Sequence, residues 1–166
     1  EYGKDVVFDA QGRVKSGTVT STVVGDVTKK VNGKDEVVRQ KLRSTVLSYG
    51  SSRVERSETQ EFNTDLSLGE KSVTTYPVSV VFDAQGQIQS GTVHTEVEGS
   101  VVKEDKAGKK ETVRQKVRES DVTYESGKVV KTVTKEFNTD LTLGDETTTE
   151  YGKDVVFDAQ GRVKSG

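Results

Sequence analysis

The chain has no cysteine, no methionine and no tryptophan among its 166 residues, and it has one proline and one histidine. The lack of cysteine excludes disulfide bonds and thiolate metal sites. The lack of methionine leaves no start residue, so we expect a piece of a longer protein or a processed product. No apolar run is long enough to span a bilayer, so we expect no direct insertion into a membrane.

The chain also lacks a large excess of either positive or negative charge. The formal net charge is −2, and the charged residues, 31% of the chain, are mixed in sign along its length. A nucleic-acid-binding domain concentrates positive charge on one surface, so we expect no nucleic-acid partner. The only histidine, His94, permits one Ser-His-Asp triad at most, and no nearby pattern of serine and acid completes it. The sequence therefore predicts no enzyme and no cofactor.

Valine and threonine dominate the residues that are present. There are 29 valines and 20 threonines, while hydrophobic residues of all kinds make up 30% of the chain. Both side chains are β-branched, which favours a pleated strand over a helix. No 3.6-residue hydrophobic period is sustained anywhere. The sequence predicts an all-β fold of tandem antiparallel β-meander or sandwich-like units, with long strands, an elongated shape and a thin core.

The chain repeats itself. Its first seventeen residues, EYGKDVVFDAQGRVKSG, recur unchanged at residues 150–166, and the first half aligns with the second with one gap. Such self-similarity is typical of tandem arrays. We predict β repeat unit 1 at residues 1–75 and β repeat unit 2 at residues 76–150. Residues 151–166 would begin a third unit and complete the preceding sheet.

Turn-forming residues divide each unit into four predicted strands. In the first unit these strands cover residues 4–10, 13–31, 35–49 and 53–68. The pair Asn32-Gly33 is typical of a β-hairpin turn, and Ala107-Gly108 stands at the matching place in the second unit. A change of parity among the valines predicts a bulge near Gly17. A second change of parity predicts either a bulge near residues 119–121 or a strand that moves from one layer to another.

The fourth predicted strand shows the most regular alternation. One face would be buried and carries the apolar side chains Val54, Phe62, Leu66 and Leu68. The shared motif FNTDL would lie in this strand and place Asn63 and Asp65 on its solvated face, as it would Asn138 and Asp140 in the second unit. Calcium takes six to eight oxygen ligands, and no Asp-rich loop supplies them. We therefore expect no metal site.

A basic stripe is the one candidate ligand-contact surface. Three cations share one parity in the third predicted strand of each unit: Arg39, Lys41 and Arg43, and then Arg114, Lys116 and Arg118. These side chains could contact an anionic polysaccharide. The alternative is pairing across the sheet with acids such as Glu55, Glu61 and Glu136, which stabilises a sheet by a few tenths of a kcal/mol per pair.

The segment FDAQGRV resembles the hairpin of YD-type repeats in bacterial secreted proteins, with Asp9, Gly12 and Arg13 in the matching places. The likeness covers seven residues per unit. The second unit departs from it with Gln87 in place of the arginine, and the spacing of the units is far longer than that of the family. A hairpin that needs glycine after a polar turn explains the same residues.

In organisation, the chain resembles the tandem-repeat fibres and stalks of bacterial surface proteins of the adhesin type. The resemblance implies an extracellular structural module that projects a binding region from a cell surface, with neighbouring repeats of the same chain as partners. An alternative is a glycan-binding module that uses the basic stripe, with surface glycans or a host or cell-surface protein as partner. A further alternative is an engineered repeat protein, against which the irregular alternation argues.

Overall fold

A computed structural model describes all 166 residues and contains twelve β-strands and no helix. The all-β, antiparallel fold predicted from valine and threonine is therefore confirmed. No helix is present that could cross a membrane.

The strands fall into two series of five, followed by a short pair. The first series is β1 (Val7–Phe8), β2 (Val14–Val31), β3 (Lys34–Gly50), β4 (Arg53–Phe62) and β5 (Leu68–Thr75). The second series is β6 (Val81–Phe82), β7 (Ile88–Glu104), β8 (Lys110–Glu125), β9 (Lys128–Phe137) and β10 (Leu143–Glu150). The final pair is β11 (Val156–Phe157) and β12 (Val163–Ser165).

The large sheet is a meander. Its strand order is β1-β2-β3-β4-β5-β7-β8-β9-β10, with β6 paired to β7 beside this path. Strands contact their neighbours within the sheet, and no second sheet packs on either face. Only six residues are buried, so there is no central core. Of the two arrangements left open by the sequence, the meander is the one observed.

Pairing between strands supplies what a core would supply elsewhere. The chain makes 100 backbone hydrogen bonds, most of them within the strands. Threonine hydroxyls also meet across the sheet, as in Thr45 with Thr59 at 3.0 Å and Thr92 with Thr123 at 3.0 Å. Such cross-strand pairs contribute roughly 0.2–1 kcal/mol each. The high valine and threonine content therefore stabilises an open sheet through neighbouring strands.

Bulges occur close to the two predicted places. In the β1–β2 pair, Val7 is opposite Ser16 and Phe8 is opposite Val14, so one residue of β2 is unpaired just before Gly17. Gly17 has a φ of 99°, and a Cβ there would lie 2.7 Å from the Val6 Cα. The second bulge is at Val117, slightly before the predicted residues 119–121.

The prediction of a single fourth strand at 53–68 is wrong. β4 ends at Phe62, residues 63–67 turn, and β5 returns along it, so each unit has five strands. The Asp65 carboxylate accepts the Ser67 N–H at 2.9 Å and closes this turn, and Leu66 adopts a φ of 65°. Leu66 and Leu68 are 52% and 51% exposed, so the predicted buried face does not extend to them. This turn carries no glycine signal in the sequence, because a leucine occupies the position whose backbone is in the left-handed conformation.

The predicted hairpin at Asn32-Gly33 is confirmed. Their φ values of 50° and 78° are those of a two-residue type I′ turn between β2 and β3. The second unit turns at the predicted Ala107-Gly108 with a longer loop, in which the Asp105 carboxylate accepts the Ala107 N–H at 2.9 Å. The positions of these turns could therefore be predicted from the sequence, because asparagine, aspartate and glycine favour turn conformations.

Residues 151–166 form a separate hairpin. β11 and β12 pair only with each other, and one backbone hydrogen bond joins this segment to the large sheet, from the Tyr151 N–H to the Val130 carbonyl at 2.9 Å. Val156 and Val163 are 44% and 54% exposed. The expected completion of the preceding sheet is therefore not made by strand pairing.

Candidate functional site at the junction of the two halves

The predicted unit boundary falls inside one continuous sheet. β5 belongs to the first half and β7 to the second, and they pair in an antiparallel ladder from Lys71 opposite Glu98 to Thr75 opposite His94. Within this ladder the Thr74 and Thr95 hydroxyls are 2.9 Å apart. The two halves are therefore joined by main-chain hydrogen bonds rather than by side-chain contact alone. We call the β5–β7 ladder and the side chains around it the junction.

One face of the junction carries a charged cleft of about 350 Å³. Its lining residues are Lys71, Val73, Glu96, Val97, Glu98, Arg114, Gln115 and Lys116. The Glu98 carboxylate forms ion pairs with two cations, the Lys71 ammonium at 3.2 Å and the Arg114 guanidinium at 3.7 Å. Three cations and two carboxylates line the cleft, so it carries charges of both signs with one positive charge in excess.

His94 lies beside this cleft between two carboxylates. Its Nδ1 is 2.7 Å from an Asp121 oxygen, and its Nε2 is 3.4 Å from a Glu96 oxygen. Partial burial lowers the pKa of His94, but the hydrogen bonds to Asp121 and Glu96 and their negative charges outweigh it, so the net pKa is raised. The imidazolium form is therefore the one that this part of the sheet stabilises.

A group of three potential metal ligands is found here, and sequence reasoning did not identify it. Ligand atoms of His94, Glu96 and Glu119 lie within 4.8 Å of one another. The Lys116 ammonium is already among them, 3.0 Å from Glu119 and 3.4 Å from Glu96. Its hydrogen bond to Glu119 raises the pKa of Lys116, and the hydrogen bond from His94 lowers the pKa of Glu96. The group is therefore a set of ion pairs with its own cation.

The opposite face of the junction has a two-point ion pair. Arg118 on β8 contacts Glu70 on β5 at 2.6 Å and 3.2 Å, reaching across β7, which lies between them. Glu70 lies next to Gly99 of β7, where a Cβ would be 3.8 Å from the Glu70 Cγ. Because glycine adds no side chain there, the arginine and the glutamate can meet above the strand. This pair connects the two halves across three strands.

Arg53 fixes the loop that connects the halves. Its guanidinium donates to the carbonyls of Val80 at 2.6 Å, Pro77 at 2.9 Å and Tyr76 at 3.1 Å. It also lies over the Phe82 ring, 4.8 Å from the ring centroid. Val80, held in this way, is 2% exposed and is the most buried of the valines. A planar guanidinium has several donors in a fixed fork and suits this task better than an ammonium.

The structure separates the two copies of the predicted basic stripe by environment. Arg114, Lys116 and Arg118 are half-buried at the junction and ion-paired, whereas Arg39, Lys41 and Arg43 are exposed. Arg39 pairs with Asp26 at 3.2 Å, Lys41 lies over the Phe62 ring, and Arg43 has no ion-pair partner. The acids that pair with the stripe in the second half lie on β5, β7 and β8, and are not the Glu55, Glu61 and Glu136 expected from the sequence.

Nor does each stripe lie on one face. Lys116 is opposite Glu98 and Arg118 is opposite Val97, with Val117 unpaired between them. Because successive residues of β7 point to opposite faces, Arg118 lies on the face opposite Lys116. The same shift occurs at Leu42 between Lys41 and Arg43. Sequence parity does not identify a common face here, because one extra residue in a strand reverses the faces beyond it.

The motifs VRQK and FNTDL contact each other. The Gln40 side-chain amide donates to the Asn63 carbonyl at 3.0 Å, and Gln115 donates to Asn138 at 3.0 Å. Both glutamines are buried. FNTDL is thus the start of a turn pinned by a buried glutamine, not a strand face that presents ligands for calcium. The sequence signal was the appearance of both motifs in both halves.

No protein-family model, curated protein or solved structure matches this chain.

Proposed function

We propose that this chain is a structural repeat module of a long extracellular fibre, stalk or adhesin that holds a binding region away from a cell surface. The observation that carries the proposal is the ladder between β5 and β7. Because a unit is attached to its neighbour by strand pairing, further units can be added without a new kind of interface. Neighbouring repeats of the same chain are then its main partners.

The geometry of a sheet gives the proposal a length scale. Apart from the short β1 at one edge, the path of the large sheet contains four strands of each half, β2 to β5 and β7 to β10. Neighbouring strands are about 4.8 Å apart, so each unit extends the sheet by about 19 Å. A spacer benefits from such additive growth because its reach depends on the number of units alone.

The exposed faces also suit a spacer. Few residues are buried, and charged residues of both signs line the faces that solvent reaches. Mixed surface charge opposes face-to-face stacking of open sheets. The sheet is therefore suited to remain extended in solvent, as a spacer requires.

The test uses tandem proteins. Residues 1–149 are joined one, two and three times ahead of residues 1–166, and the maximum dimension is measured by small-angle X-ray scattering. We expect the long axis to grow by about 38 Å per added copy of two units, at about 4.8 Å per strand. A dimension that does not grow in step with copy number contradicts the proposal.

A matched control breaks the junction alone. The Tyr76 N–H donates to the Glu55 carbonyl on β4, so the N–H of Val73, three residues earlier, faces β7. Val73→Pro removes a junction donor and leaves the β4–β5 pairing intact. We expect tandem proteins with this substitution to behave as flexible beads, with a shorter average dimension than the unsubstituted series.

Glycan binding is the second candidate function, and the exposure of Arg39, Lys41 and Arg43 favours it. Against it, the bulge at Leu42 places Arg43 on the other face from Lys41. Retention on a heparin column at physiological salt, lost in Lys41→Ala and kept in Arg114→Ala, would support the glycan-binding function. Equal elution of all three proteins would exclude it.

A further inference from the structure

We propose that β10 of one molecule pairs with β2 of a second copy of this chain, head to tail, in the register that β5 uses on β7. The inference rests on the proposed function, because it takes the junction as the general contact between units. It adds that the contact forms between separate molecules as well as along one chain.

β10 and β2 lie near the two ends of the large sheet, and each has an edge to offer. β10 pairs with β9 on one side only, and all its residues are exposed. β2 pairs with β3 along its length, while its other side is covered only near its start, by β1 and by Tyr2 opposite Val19. Unprotected strand edges are templates for pairing with another chain.

The sequence alignment sets the register. β10 corresponds to β5, and β2 corresponds to β7, so the observed pair Lys71–Glu98 becomes Glu146–Val24. At the other end of the ladder, the observed pair Thr74–Thr95 becomes Thr149–Ser21. The incoming strand would therefore cover residues 21–24 of β2 with its residues 146–149.

The N-terminus already makes the next pair of this ladder. Glu1 repeats Glu150 in the sequence, and its ammonium donates to the Thr20 carbonyl at 2.6 Å while the Thr20 N–H donates to the Glu1 carbonyl at 2.8 Å. In the junction, Thr75 pairs in this way with His94, and these residues correspond to Glu150 and Thr20. β2 thus accepts a strand end in the junction register. The incoming strand ends beside Glu1 and leaves the sheet at its own Glu150.

The exposure of matching valines on β7 and β2 agrees with this pairing. Val97 of β7 is 7% exposed, with β5 beside it. Its counterpart on β2, Val23, is 41% exposed, and the next residue, Val24, is 48% exposed. The same position is therefore buried where a strand pairs and exposed where the strand is absent.

Charge completes the match. Arg118 pairs with Glu70 across the junction, and their counterparts at the two ends of the sheet are Arg43 and Asp145. Neither Arg43 nor Asp145 has an ion-pair partner within the molecule. Head-to-tail pairing would bring them together on the face that Arg118 and Glu70 occupy at the junction.

Two proline variants test the proposal. The Tyr151 N–H donates to β9 and the Thr20 N–H donates outward to Glu1, so alternation places the N–H groups of Thr148 and Thr22 on the free edges. Thr148→Pro blocks the β10 edge, and Thr22→Pro blocks the β2 edge. Both variants keep their internal ladders, which circular dichroism and melting temperature verify.

The readout is sedimentation velocity over a concentration series. For the unsubstituted chain we expect a weight-average mass that rises with concentration beyond the dimer, since head-to-tail contacts do not close. Each variant alone should stay monomeric, and an equal mixture should form a dimer and nothing larger. Any of three results overturns the proposal: a monomeric unsubstituted chain up to its solubility limit, a monomeric mixture, or dimers of Thr22→Pro alone, which would indicate β10 pairing with β10.

Charge reversal checks the register. Arg43→Asp and Asp145→Arg should each weaken association by about twofold to fivefold, and the double variant should recover it. Absence of recovery in the double variant would overturn the Arg43–Asp145 contact. The tandem proteins separate this failure from that of the proposed function. If they lengthen while separate copies remain monomeric, the module stands and association between molecules is excluded.

Discussion

Arg53 and Lys128 occupy the matching turns after β3 and β8, yet only Arg53 is bonded to the loop that follows its half of the sheet. The Arg53 fork donates to the Val80 carbonyl at 2.6 Å, and Val80 is 2% exposed. Lys128 makes no hydrogen bond to the following segment, although it lines a cavity together with Phe157 of the terminal hairpin. A one-residue difference thus distinguishes a connection that is bonded to a guanidinium from one that is not.

Replacing Arg53 should destabilise the first connection. Arg53→Lys removes most of the fork, and hydrogen bonds from charged groups contribute roughly 1.5–3 kcal/mol. Because Arg53 is partly exposed, we expect a loss near the lower figure and a fall of a few degrees in melting temperature, measured by thermal unfolding. The matched variant Lys128→Arg should raise the melting temperature. Equal effects of the same sign would contradict this account.

The turn after β3 should be improved by glycine. Ser51 and Ser52 have φ values of 53° and 63°, whereas the second unit has Ser126 and Gly127 in the corresponding turn. Since a left-handed conformation costs a non-glycine residue roughly 1 kcal/mol, Ser52→Gly should raise the free energy of unfolding by about that amount. The reverse change, Gly127→Ser, should lower it. Urea unfolding of both variants provides the measurement, and a destabilised Ser52→Gly protein would refute the turn argument.

Stability should depend on pH through His94. Its pKa is raised in the folded state, so its contribution is fully present below the unfolded pKa of about 6.5 and is lost as pH rises through the folded pKa. His94 is the only histidine, so its imidazole signal can be titrated by NMR without ambiguity. We expect a midpoint above 6.5. The variant His94→Thr carries the residue found at the matching position 20 of the first unit, and it should lose this part of the pH dependence.

Removal of divalent cations should leave the melting temperature unchanged. At His94, Glu96 and Glu119 the Lys116 ammonium already supplies positive charge, and the Asp65 carboxylate is bonded within its own turn. Thermal unfolding with and without a chelator is the measurement, with added calcium and zinc as the converse. A fall of several degrees with chelator would show a bound cation.

The two ends of the chain should differ in their importance. Residues 152–166 form a hairpin outside the large sheet, so their deletion should change the melting temperature little. Deletion of residues 1–17 removes β1, the Glu1 contact to β2 and the start of β2 itself, and should cost more. A large loss on removing the C-terminal hairpin would restore the expectation that it completes the preceding sheet.

Part of the fold was predictable because its causes are local. Asn32 and Gly33 favour the left-handed conformations of a type I′ turn wherever they occur, and the structure confirms the hairpin that they predict. The turn at residues 63–67 depends on Asp65 bonded to Ser67 and on Leu66 held at a φ of 65°. The backbone preference of leucine does not favour that conformation, so the sequence predicts one strand where the structure has two.

The candidate site was less predictable. Arg114, Lys116 and Arg118 were singled out, but their partners were not, because Glu70 lies 48 residues before Arg118. Only the register between β5, β7 and β8 brings such residues together. In the sequence His94 is a lone histidine with no identifiable partner, whereas the β7–β8 ladder places it opposite Asp121.

The sequence by itself determined that this protein is built of antiparallel strands, because β-branched side chains and asparagine–glycine turns act within a few residues. The tertiary structure alone decided which charges meet, which face each occupies and how the halves join. Those outcomes depend on register, and a single unpaired residue such as Leu42 or Val117 reverses the faces of the strand beyond it.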